Sequence, residues 1–141
     1  MRSLRLDKNL HVKIRYEIAQ IDKLLNNAAV LFNVLASRDP DFIELTASGS
    51  LLHSFYNGIE NIFIMIEKHY GENINESASR HKELLKNARI STKNRKKVIS
   101  DKTAERLSQY LMFRHFFRHA YGFQMDWKKM KHLVDDIETL W

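Results

Sequence analysis

The chain contains no cysteine among its 141 residues. Disulfides, thiolate metal sites and cysteine nucleophiles are therefore excluded together. Four glycines and one proline leave little material for the tight turns that an all-β fold requires, while Leu, Ile, Lys, Glu and Asn are abundant, so the chain reads as all-α. No long apolar run is present. The longest, Ile62-Phe63-Ile64-Met65-Ile66, falls far short of a membrane span, and no apolar signal region opens the sequence. A soluble cytoplasmic protein without membrane contact is expected. The length suits one domain over 1–141, enough for a real core but not for two.

Acidic residues are scarce in one place. Between Arg80 and Arg106 ten Lys or Arg face only Glu83, Asp101 and Glu105, a local charge of +7 that leaves −1 for the rest of a chain whose total is +6. Inside this stretch the run "KNRKK" supplies Lys93, Arg95, Lys96 and Lys97, between two helical patterns. Long cationic side chains there can track a phosphate backbone and release its counterions. The plainer reading is a solvated charged loop.

What is present in quantity is helical periodicity. Leu10, Ile14, Ile18, Ile21, Leu25, Ala28, Phe32 and Leu35 recur every three or four residues, the stripe of one long helix. It should stop at "SRDPDF", where Asp39 can cap and Pro40 suits the first position of the next helix. That second helix runs from Pro40 to Tyr70, with Gly71 placed to end it. Within it "TASGS" predicts a bend or a close backbone contact. Beyond that point Leu52, Phe55, Ile59, Ile62, Phe63 and Ile66 share one side, and His53, Asn57, Glu60 and Asn61 the other. "GENINESAS" reads as a loop and "HKELLKNARI" as a short helix. Ser100 caps a helix running to Tyr121 before Gly122, and Asp126 caps a last one with Trp127, Met130, Val134, Ile137 and Trp141 on one face. Four or five antiparallel helices make a bundle.

The chemistry concentrates in "FRHFFRHAYGF", Phe113 to Phe123. On a helix of about 100° per residue, with Arg114 at zero, Arg118 falls near 40°, His115 near 100°, His119 near 140° and Tyr121 near −20°. Phe113, Phe116, Phe117 and Ala120 fill the remaining arc and should anchor the segment. Arg114 and His119 diverge too far to meet at one atom on a straight helix. Either the helix distorts near its end, or two copies pool their residues across a two-fold axis. Tyr121 would stand two turns above Arg114, about 10.5 Å along the axis. His115 and His119, at i and i+4, could grip a metal, but there is no HExxH, no Glu-x-x-His and no third ligand nearby, so no metal or other cofactor is expected.

Arg114, four residues, His119, one residue, Tyr121: this spacing resembles the Arg-x4-His-x-Tyr motif of HepT-like toxins in the HEPN superfamily. "SLLHSFYNGIENIF", Ser50 to Phe63, is similar to the second-helix signature of that family, and the order of elements agrees over nearly the whole chain. The resemblance implies a HEPN-type helical bundle and a metal-independent endoribonuclease toxic to its host, with its active site at a homodimer interface. It also implies a cognate MntA-like nucleotidyltransferase antitoxin that silences the toxin by transferring AMP to the motif tyrosine. On this sequence Arg114 and His119 would be catalytic and Tyr121 the AMPylation site. The motif assigns no role to His115 or Arg118, which could support the site, and Asn57 or Glu60 could orient His119 or the ribose. The RNA 2′-hydroxyl would attack its own phosphate, leaving a 2′,3′-cyclic phosphate and a 5′-hydroxyl. tRNA is favoured over mRNA because a basic loop suits an RNA recognised by shape. The rival readings are a non-catalytic HEPN module that binds nucleotide or pairs with a nucleotidyltransferase, and, more remotely, a metal-dependent bundle enzyme.

Overall fold

The apolar stripe from Leu10 to Leu35 does form helix, but in two pieces. The structure, a computed structural model, describes residues 2–72 and 79–141. Its elements are α1 (Arg2–Asn27), α2 (Ala29–Ser37), α3 (Phe42–His69), α4 (Arg80–Ala88), α5 (Asp101–His119), a 3-10 turn (Gly122–Gln124) and α6 (Trp127–Leu140), with no strand among the described residues. Ala28 interrupts the first helix for a single residue (φ −80°, ψ −3°). The preceding asparagines, Asn26 and Asn27, are weak helix formers. Bonds from Ala28 N–H to Leu24 O and from Phe32 N–H to Ala28 O carry the path across the break. Residues 73–78, most of the stretch read as the loop "GENINESAS", lie outside the described residues.

The start of α3 corrects the sequence reading. Asp41, not Asp39, is the cap, and Pro40 lies outside the helix. The Glu44 N–H donates to Asp41 Oδ1 (2.8 Å) and the Asp41 N–H to Glu44 Oε1 (2.9 Å), a reciprocal capping box that satisfies two otherwise orphaned donors. Arg38 adds a two-pronged contact to the same glutamate, 2.6 Å on each side. At the other end Gly71 takes φ +65°. The Glu72 N–H reaches Glu67 O and the Gly71 N–H reaches Lys68 O, the two bonds of a Schellman stop that needs a left-handed residue.

α3 is the central helix and packs against α1, α4, α5 and α6. Leu52, Phe55, Ile59 and Phe63 are buried as the pattern predicts, Ile62 and Ile66 only partly, and Leu51 and Tyr56 join the core from outside that stripe. The helix is continuous through "TASGS". Thr46 and Ser48 return their hydroxyls to the carbonyls of Phe42 and Glu44, and Gly49 instead allows a close approach: a Cβ there would stand 2.6 Å from Met125 Sδ and 3.0 Å from Phe117 Cε2. Gly58 does the same for α1, with Ile21 Cγ1 2.8 Å from the position of a Cβ. α6 starts where expected, Asp126 accepting from the Lys128 N–H, and buries Met130, Leu133, Val134 and Ile137. Trp127 is partly buried, and Trp141 rests edge-on against Phe55 while donating to Asp22. No described helix is long and apolar enough to cross a membrane.

The two helical glycines should respond differently to alanine. Alanine gains about 1 kcal/mol of helix propensity over glycine, and overpacking costs about 1–3 kcal/mol. At Gly49 the nearest atoms belong to the flexible end of Met125, so Gly49→Ala is expected to be near neutral. At Gly58 they belong to Ile21, which is buried and branched, so Gly58→Ala is expected to destabilise by about 1–2 kcal/mol. Urea denaturation of the two variants measures the difference, and equal midpoints would contradict this packing.

Candidate functional site

Ser100 caps α5 by accepting from the Thr103 N–H, and the helix runs unbroken to His119. It stops two residues earlier than its sequence suggests. Ala120 (φ −100°, ψ 144°) and Tyr121 (φ −76°, ψ 154°) are extended, and Gln124 Oε1 accepts from the Tyr121 N–H at 2.7 Å. Tyr121 therefore leaves the helix axis and does not stand above Arg114. The rings also divide. Phe113 is buried and Phe117 half-buried against the His53 ring at 4.9 Å, whereas Phe116 and Phe123 are exposed.

Arg114 turns inward. Only 12% of its side chain is exposed, and its Nε donates to Asn57 Oδ1 at 3.2 Å with Glu60 Oε1 3.5 Å away. Glu60 is 4% exposed and its carboxylate is held from the other side by His81 Nδ1, 2.8 Å from Oε2 and 3.1 Å from Oε1. Asn57 Nδ2 meets His53 Nε2 at 3.1 Å. Three elements thus converge on one guanidinium: α3 with His53, Asn57 and Glu60, α4 with His81, and α5 with Arg114. Asn57 and Glu60 were expected to orient His119 or the ribose, and they contact Arg114 instead. Among the described residues neither Nη of Arg114 makes a hydrogen bond. Asn61, on the same polar stripe, is turned away to Glu17 of α1.

The field of this cluster is visible in its neighbours. Burial, then the charges of Arg114 and Arg118, hold the His53 imidazole below its ordinary pKa. Burial, then the negative charge of Glu60, push the Tyr56 phenol up, with Arg114 opposing. Tyr56 stays a neutral phenol inside the core. Its hydroxyl and His53 Nδ1 are buried without a hydrogen-bond partner among the described residues.

His119 lies on the exposed end of α5, its ring 5.2 Å from that of His115 and edge-on to it. No hydrogen bond or ion pair joins it to Arg114 among the described residues. Arg118 is exposed, and no group of three or more His, Cys, Asp or Glu suited to a metal occurs among the described residues. Tyr121 is 71% exposed and lies parallel to Phe123 at 5.6 Å. In the basic run, Lys93, Lys96 and Lys97 are exposed, but Arg95 is not free to meet phosphate. Its side chain is 4% exposed, paired with Glu72 and donating to the carbonyls of Asn87 and Ile90. His53 lies in the polar stripe without an assigned role, and His81 is not legible from the sequence: it lies 21 residues from Glu60, and no local spacing connects them.

The sequence pattern of the family described as HepT-like protein matches residues 47–141, which include Asn57, Glu60, His81, Arg114, His119 and Tyr121. No curated protein and no solved structure matches. The match extends from the first third of α3 to the end of α6 and so contains the whole cluster around Arg114, together with the end of α5. By this match the chain belongs to the HepT-like family.

Proposed function

We propose that this chain is the toxin of a type VII HEPN/MNT toxin–antitoxin pair, a metal-independent endoribonuclease that cuts cellular RNA in the cytoplasm. The observation that carries the reading is Arg114: a cation fixed through Nε by Asn57 and Glu60, with both Nη groups unbonded among the described residues. A guanidinium held in this way is preorganised for phosphate oxygens. RNA brings its own nucleophile. His119 takes the proton of the 2′-hydroxyl, the 2′-oxygen bonds to the adjacent phosphorus, the bond to the 5′-oxygen breaks, and that oxygen takes a proton from water. The products are a 2′,3′-cyclic phosphate and a 5′-hydroxyl. Arg114 stabilises the charge on the phosphorane between them. Lys93, Lys96 and Lys97 supply non-specific phosphate contacts, and tRNA remains favoured over mRNA as an RNA read by shape.

The site is shared between two copies. α5 stays regular through His119 and departs from helix only at Ala120, past both motif residues, so Arg114 and His119 still point about 140° apart. That leaves Arg114 of one protomer to work with His119 of its partner. Met112 and Phe116 are exposed on the face of α5 that carries His115 and His119. They border a groove of about 570 Å³ between α5 and α6 whose floor includes Phe113, Met130 and Leu133. Such a seam suits a second copy.

Tyr121 is the switch. Its hydroxyl attacks the α-phosphorus of ATP on a cognate MntA-like nucleotidyltransferase, AMP is joined to the oxygen, and pyrophosphate leaves. Because Tyr121 projects from the chain just past the helix end, the added phosphate comes to the exposed Arg118 and His119 rather than to the buried Arg114. It obstructs RNA and opposes the cations there.

The burial of Arg114 favours one rival, a non-catalytic module that pairs with a nucleotidyltransferase. Arg114→Ala and His119→Ala are each expected to lower RNA cleavage by about 100-fold or more, with EDTA leaving the wild type unaffected. If the wild type cuts no RNA, the rival stands. Mixing the two dead variants should restore about a quarter of the wild-type rate, since half the dimers are mixed and each has one intact site of two. No recovery would place the site within one chain. Co-expression with the antitoxin should add one or more AMP groups by intact mass, and Tyr121→Phe should accept none while still cutting RNA. AMP found on another residue would refute the switch alone.

A further inference from the structure

Arg114 donates and cannot accept. Its Nε–H must therefore meet an oxygen of Asn57, which puts Oδ1 toward Arg114 and the amide Nδ2 toward His53. Nδ2 only donates, so His53 Nε2 has to accept, and an imidazole that accepts at Nε2 is neutral with its proton on Nδ1. On the other side, the carboxylate of Glu60 accepts and His81 Nδ1 lies 2.8 Å from one oxygen and 3.1 Å from the other. His81 must carry a proton on Nδ1. The two histidines thus have opposite tasks.

We propose that His53 and His81 are positioning residues that act as a pair: neutral His53 fixes Asn57 and proton-bearing His81 fixes Glu60, so that the two acceptors aim the Arg114 guanidinium with Nη1 and Nη2 toward the phosphate. The catalytic part of this inference rests on the reading of Arg114 as the phosphate-binding cation. The geometric part does not. A protonated His53 would set an N–H against the Asn57 amide, turn that amide over and present Nδ2 to Arg114, breaking the Nε bond. Burial, then the cations Arg114 and Arg118, disfavour the protonated form of His53. Loss of His81 leaves a carboxylate of 4% exposure with Arg114 as its one ion-pair partner among the described residues. The nearest charge would then draw the guanidinium toward Glu60 and away from Asn57.

The residues come from separate parts of the chain. His53 lies one turn before Asn57 on α3, while His81 is the second residue of α4. α4 therefore has a task besides covering the core: its first turn carries the group that orients a residue of α5 through a residue of α3. Removing the donor at 81 should disturb Arg114 even though the two side chains share no bond among the described residues.

The test uses the full chain with two kinds of variant at each site. His53→Leu and His81→Leu remove the contacts. His53→Gln can return an acceptor at the place of Nε2, and His81→Asn a donor at the place of Nδ1. Nitrogen-15 NMR of the wild type should show His53 neutral with its proton on Nδ1, and an Arg114 Nε–H that exchanges slowly with water. Exchange should accelerate about tenfold or more in both leucine variants and return toward the wild-type rate in His53→Gln and His81→Asn. In RNA cleavage the leucine variants should lose about tenfold or more in kcat at nearly constant KM, recovered by the same conservative variants. A proton on His53 Nε2, or an Arg114 Nε–H unmoved by either leucine substitution, overturns the inference whatever the enzyme activity. A protected Nε–H in a protein that cuts no RNA removes the nuclease reading and leaves the paired histidines standing.

Discussion

A carboxylate almost sealed from water at Glu60 is the constraint around which the rest of the molecule is arranged. An isolated charge in that position costs several kcal/mol even after the protein relaxes, so cationic or donor groups have to be brought to it. One comes from α5 as Arg114 and one from α4 as His81. Neither α4 nor α5 can therefore slide along α3 or turn on its axis without exposing the penalty. Apolar packing tolerates small adjustments of register. A three-way polar contact does not, and it selects one arrangement from the several that the apolar faces alone would permit.

The division of α3 into faces makes that contact possible. Gly58 lets α1 approach so closely that Ile21 would touch a Cβ there, and Asn61 turns to Glu17 of α1. α1 thus takes the side of α3 that carries Gly58 and Asn61, while His53, Asn57 and Glu60 remain for α4 and α5. Gly49 performs the matching service nearer the start of α3, admitting Phe117 and Met125 and so seating the end of α5. The ring of Phe117 lies on His53. Core packing and the polar cluster therefore share residues.

Much of this fold was legible locally. The caps at Ser100 and Asp126 and the stop at Gly71 each rest on one residue's own hydrogen bond or φ angle, and such features survive in any context. The start of α3 lies beyond Pro40 for a local reason: Asp41 and Glu44 have the spacing of a capping box, which prevails over a proline at the first helical position. The end of α5 was not readable in this way. Nothing near His119 forbids another turn, and the chain departs because Gln124 takes the Tyr121 N–H while Gly122 comes against Phe42. Arg95 looked like one cation in a solvated run because charge counts carry no information about Glu72. The motif at Arg114, His119 and Tyr121 is visible as spacing, and Asn57 and Glu60 stand out as support, though for Arg114 rather than His119; the two histidines behind them do not. His81 reaches Glu60 across two helices, and only tertiary structure relates them.

The two ends of the α5 motif differ in physical character, and the difference has consequences for control. Arg114 is deep, held by fixed acceptors and coupled to the core, which is where an electrostatic group gains most from preorganisation. A modification there would have to unfold the site to reach it. His119 and Tyr121 occupy the last turn and the extended chain beyond it, exposed and nearly free of internal contacts. There a phosphate can be added without any cost to the core. Under the proposed switch this separation lets the chain be silenced without being unfolded, with the rigid charge inside and the modified tyrosine where the helix ends.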